Sequence, residues 1–97
     1  MDIIISKSKK NDKKFDAIIN NKKVISFGQK NASDFTIHKD EARRQLYLNR
    51  HKKREDPSNP LTKSFYSTNL LWNKPTLTES IKDINKRFKN LHIQLKK

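Results

Sequence analysis

Apolar positions in the first third of the chain recur at strand spacing. Ile3-Ile4-Ile5 is a short β-branched run closed by Ser6-Lys7-Ser8, and the polar stretch 9–14 (KKNDKK) suits a turn. Phe15, Ala17 and Ile19 then alternate with Asp16 and Ile18. Asn20-Asn21 tolerates positive φ and fits a two-residue hairpin turn. Residues 22–27 resume the strand pattern, and Gly28, the only glycine, ends it. The pattern predicts three antiparallel strands within residues 3–28, with one face against later helices and the lysines outward.

From Asp40 onward the spacing turns helical. Asp40 is placed as an N-cap, and Glu41 sits where the helix dipole favours an acid. A helix over 40–52 puts Ala42, Leu46 and Asn49 on one stripe, with Leu46, Tyr47 and Leu48 as a wider apolar patch. Arg43, Arg44 and Arg50 fall on the remaining surface, and Pro57 and Pro60 impose a loop. Residues 62–72, dense in aromatics and leucines, read as a short helix that supplies core. Thr76-Leu77-Thr78-Glu79 then matches a capping box. Leu77, Ile81, Ile84, Phe88, Leu91 and Leu95 follow at steps of four and three, which predicts a helix over 76–90 and a frayed tail over 91–97. The class is α+β: a small antiparallel sheet of three strands followed by two to three helices, in one domain spanning 1–97.

Ninety-seven residues with 32% hydrophobic content allow one modest core. The net charge of +13 changes the picture, because it is spread along the chain. Residues 1–30, 39–54 and 74–97 each carry a surplus of five positive charges. Such a chain is drawn to polyanions, nucleic acid or acidic surfaces among them. No cysteine is present, so disulfides and thiolate metal sites are excluded. No apolar run approaches the ~20 residues of a membrane span. Asp2 stands where a signal peptide carries a base and the apolar run after it is short, so a protein made in the cytosol that stays soluble or joins an assembly is expected.

The chemistry of catalysis is sparse. His38 with Asp34 or Asp40, and His51 with Glu55, are the histidine–acid pairs, but no HxxxH or HExxH spacing supplies three or four metal ligands. A single glycine cannot make a phosphate-cradling loop, and no serine sits in a glycine-flanked elbow. The expectation is a non-enzymatic protein with no cofactor, metal or catalytic residue. The denser signal is cationic: Arg43, Arg44, Arg50, Lys52, Lys53 and Arg54 place six cations in twelve residues, with Tyr47 and His51 among them. This run is the candidate for binding polyanions or a partner, by phosphate contacts and base stacking. The alternative is that Arg43 or Arg44 pairs with Glu55 or Asp56 and Tyr47 joins the core. Trp72 is either a core anchor or a docking residue for a protein partner.

Phe27-Gly28, Ser33–Asp40 (SDFTIHKD), Tyr47 with Arg50-His51-Lys52-Lys53-Arg54-Glu55, Leu70–Pro75 (LLWNKP), and Ser80–Ile84 with Arg87-Phe88 together resemble a family of short uncharacterised basic proteins. That family is found in nucleocytoplasmic large DNA viruses, such as the algal and amoebal giant viruses. The resemblance covers residues 3–88. It departs at Asp56-Pro57, where the family carries a Trp, and at 64–69, where the family has Gly-Phe-Trp-Ser-Arg-Trp. It implies a virion protein, made in the host cytoplasm, and carries no activity. The expected function is a structural component of the particle, such as a minor capsid or cementing protein contacting other capsid proteins. The alternative is a nucleic-acid-binding protein that grips DNA or RNA phosphates through Arg43–Arg54.

Overall fold

The computed structural model describes residues 1–51 and 59–96. The chain runs β1 (Asp2–Lys7), β2 (Lys13–Ile19), β3 (Lys23–Gln29), α1 (Phe35–His38), α2 (Glu41–His51), α3 (Lys63–Tyr66), a π-helical turn (Ser67–Leu71), α4 (Leu77–Arg87) and β4 (His92–Leu95). The class is α+β, as the pattern predicts. Asn20 and Asn21 both take positive φ (51° and 60°), and the Lys22 N–H closes the turn on Ile19 O at 3.0 Å.

The sheet has the order β3-β2-β1-β4 and is mixed, not purely antiparallel. β2 pairs antiparallel with both β1 and β3, whereas β4 lies parallel to β1 with Ile3 opposite Ile93. The frayed tail expected over 91–97 is therefore corrected: residues 92–95 form a strand, and Lys97 lies outside the described residues. Phe88 leaves helical geometry (φ −112°, ψ 89°), so α4 ends three residues before the expected 90. Leu91 and Ile93 are then buried against the edge of β1, which would otherwise keep its backbone groups unpaired. The helical spacing that seemed to continue through Leu91 and Leu95 is coincidental. Parallel pairing needs a long crossover, here everything between β1 and β4.

Ile3, Ile5, Ala17, Ile19, Ile25 and Phe27 line the inner face of the sheet. Phe65, Tyr66, Leu70, Leu71 and Ile84 cover it from α3, the π turn and α4. Thr62 caps α3, accepting from Phe65 N–H at 3.3 Å, and Thr76 caps α4, accepting from Glu79 N–H at 3.2 Å. The helix expected over 62–72 is thus real but changes pitch at Ser67. Gly28 permits that packing: its φ is +76°, and a Cβ there would lie 2.9 Å from Leu71 Cδ1. It sits inside β3, one residue short of the strand's end. No helix among the described residues is long and apolar enough to cross a membrane.

Candidate polyanion-binding face

α2 begins as its sequence predicts. The Asp40 carboxylate accepts from Ala42 N–H (3.0 Å) and Arg43 N–H (3.3 Å), and Glu41 occupies the first turn. The helix nevertheless buries no residue. The stripe of Ala42, Leu46 and Asn49 is exposed, with Leu46 61% accessible. Another side of the helix is turned inward. Tyr47 lies flat on Trp72, with ring centroids 4.2 Å apart and planes 3° apart, and His51 packs against Tyr47 at 4.1 Å. Arg44 Nε donates to Trp72 O at 3.0 Å while its Nη1 pairs with Glu41 at 2.8 Å. One flat stack, one tilted ring contact and one charged hydrogen bond outweigh the burial of a single leucine.

Trp72 is accordingly an anchor, half-buried and packed against the core cluster. It also meets His38 at 5.3 Å. His38 Nδ1 accepts the Asp40 N–H at 2.8 Å, and its Nε2 is buried without a hydrogen-bond partner among the described residues. The pairing of Arg43 or Arg44 with Glu55 or Asp56 falls partly outside the described residues, as do Lys52, Lys53 and Arg54.

Three adjoining clefts run from α2 to the far end of the sheet. The first, about 250 Å³, is lined by Ser33, Arg43, Leu46, Tyr47, Arg50 and Trp72. The second, about 380 Å³, shares Ser33, Tyr47 and Trp72 with it and adds Phe27, Lys13 and Lys63. The third, also about 380 Å³, meets the second at Lys13, Lys14 and Asp34 and is edged by Lys7, Lys10, Lys30 and Phe15. Asp34 is the sole carboxylate among the described lining residues, and Lys14 Nζ holds it at 2.5 Å. It also accepts from the Thr36 N–H and hydroxyl, so its charge is spoken for locally. None of Lys7, Lys10, Lys13, Lys30, Lys63, Arg43 or Arg50 makes an ion pair with a described residue.

Arg43 and Arg50 edge the clefts, Arg44 turns inward, and Tyr47 and His51 are engaged with each other. The lysines from the β1–β2 turn, from the end of β3 and from α3 escape a linear reading, because three distant segments bring them together. The charge run at 9–14 was the available signal.

A second polar cluster lies on the other side of Trp72. Arg87 donates to Asn69 (2.8 Å) in the π turn and to Asp83 (2.8 Å), which also accepts from Asn73 (2.7 Å). Burial pushes the Asp83 carboxyl up, but the Asn73 hydrogen bond and the Arg87 charge outweigh it and leave the group below the usual range. This cluster edges a cleft of about 480 Å³ that Arg44 and Lys74 also reach. Among the described residues no three His, Asp or Glu side chains gather as a metal ion would need.

Fold and face together define a small α+β domain with a cationic, aromatic-edged surface. The chain belongs to a family of unknown function, DUF5754, whose model matches residues 3–51, from β1 to the end of α2. That span includes Arg43, Arg50 and the lysines of the third cleft, but neither Lys63 nor Trp72. No curated protein and no solved structure matches the chain.

Proposed function

We propose that the protein works by adhesion, without a reacting centre, and binds a polyanion through the face that α2 shares with the ends of the strands. Nucleic acid is the partner this face suits best. The observation that carries the reading is an eleven-residue helix that buries nothing yet holds Arg43 and Arg50 beside lysine-edged clefts. The helix packs through Tyr47 and Arg44, which leaves Leu46, Arg43 and Arg50 on its solvent side. Binding by several phosphate contacts weakens steeply with salt. Titration of labelled DNA at about 50 and about 200 mM salt tests this, with an expected affinity loss of at least tenfold across that range. Arg43→Ala/Arg50→Ala is expected to weaken binding and flatten the salt dependence. Salt-insensitive binding, or none at the lower salt, would sink the reading.

A second reading is a structural component of a large DNA virus particle, a minor capsid or cementing protein. The outer face of the sheet favours it. Ile4, Ile18 and Val24 lie side by side across three strands, Ile4 and Ile18 partly buried and Val24 54% exposed. A row of this kind fits a neighbouring protein better than a phosphate chain. Recovery of the protein in fixed stoichiometry from purified particles would support this reading, and its absence from them would end it.

A further inference from the structure

Resting on the nucleic-acid reading above, we propose that the three clefts form one continuous track for a single, unpaired nucleic-acid strand, entered at Arg43 and Arg50 and leaving past Lys10 and Lys30. Continuity comes from shared walls. Ser33, Tyr47 and Trp72 belong to the first and second clefts, and Lys13, Lys14 and Asp34 to the second and third. Cations occur along the whole course, Arg43 and Arg50 at one end, Lys13 and Lys63 midway, Lys7, Lys10 and Lys30 at the other. The one carboxylate among the described lining residues, Asp34, is held by Lys14. Partly exposed aromatic side chains stand at both ends of the course, the Tyr47–Trp72 stack in the first cleft and Phe15 in the third, whereas Phe27 under the second is core. A cationic groove punctuated by aromatic surface is the arrangement that accepts single strands without regard to sequence.

The shape separates this ligand from a duplex. Depressions of 250 to 380 Å³ set end to end can receive sugars and bases one at a time while phosphates stay at the lysine tips. A duplex is stiff over about 150 base pairs and could only bridge their rims. Readout on such a track would be of backbone and stacking rather than of base edges.

The test uses the full chain with oligodeoxythymidylates of about 4 to about 16 nucleotides, the range of single-strand site sizes. Affinity is expected to rise with length and level off once the track is filled. Lys10→Ala/Lys30→Ala, at exposed positions far from α2, is expected to lower the affinity for the longer oligomers while leaving the shortest unaffected. Removing two phosphate contacts should reduce the slope of log affinity against log salt by about 1.4. If Arg43→Ala/Arg50→Ala weakens binding but Lys10→Ala/Lys30→Ala changes neither affinity nor slope, α2 acts alone and the track is refuted, while the adhesion reading stands. Tighter binding of duplex than of single strand refutes the track as well. Binding of poly-glutamate in preference to any oligonucleotide makes the occupant an acidic protein and refutes both nucleic-acid assignments.

Discussion

The side-chain amide of Asn85 takes both outward-facing backbone groups of Ile93: Asn85 Nδ2 donates to Ile93 O at 3.0 Å, and Ile93 N–H donates to Asn85 Oδ1 at 2.9 Å. In the parallel pairing with β1 these two groups point away from the sheet. A residue of α4 thus imitates a neighbouring strand and closes the β4 edge, which would otherwise offer itself for pairing with another chain.

Asn85→Ala leaves both groups of Ile93 without partners. The expected cost is about 1–2 kcal/mol, read from urea denaturation. Self-association should rise with protein concentration, measured by light scattering. An Asn85→Ala protein of unchanged stability would show that water replaces the amide without loss.

Gly28→Ala tests the contact between β3 and the π turn. The left-handed backbone costs a residue with a Cβ about 1–2 kcal/mol, and the new atom must also displace Leu71 Cδ1 from 2.9 Å. A drop of at least about 2 kcal/mol in unfolding free energy is expected.

Tyr47→Ala removes the stack that fastens α2. Aromatic pairs contribute about 0.5–1.5 kcal/mol beyond their burial, and α2 has no buried residue to compensate. Amide hydrogen exchange over 41–51 should therefore quicken sharply while protection of the β1–β3 amides is kept. Equal acceleration everywhere would mean that α2 is part of the global folding unit.

The Asp16 carboxyl makes stability depend on acid. Burial raises its pKa, but hydrogen bonds from the Ser26 and Ser8 hydroxyls and the Lys9 N–H outweigh burial, with help from the Lys10 charge, and leave it below the ordinary value of 3.8. A pKa lower in the folded than in the unfolded state stabilises the fold above 3.8. That contribution is lost as pH falls through the folded value, and Asp83 acts in the same direction. Unfolding free energy should thus fall below about pH 4. Asp16→Asn should be less stable at neutral pH and show a shallower acid decline.

Much of the architecture could be read along the chain where local chemistry decides it. A β-branched run and period-two alternation located the three N-terminal strands, Asn20-Asn21 a hairpin, and Asp40 and Thr76 the starts of two helices. β4 was illegible because its partner is ninety residues away along the chain and its own residues continue a helical period. The pitch change at Ser67 has no marker of its own; it depends on Leu71 reaching Gly28 across the core. On α2 the apolar patch of Leu46, Tyr47 and Leu48 left the inward side open, and the structure settles it by laying Tyr47 flat on Trp72 with Leu46 exposed. At the candidate face, Arg43 and Arg50 were evident as part of a charge run. The lysines opposite them were hidden, since only folding brings positions 10, 30 and 63 to one surface.

The most direct test is an NMR titration of the full chain with an oligodeoxythymidylate at low salt, following backbone amides and lysine side chains. Shifts are expected around Arg43, Arg50 and Lys63 and on through Lys13, Lys10 and Lys30, with Ile4, Ile18 and Val24 undisturbed. Shifts confined to that apolar row, or no shifts with DNA at all, would contradict a cationic track as the working surface of this protein.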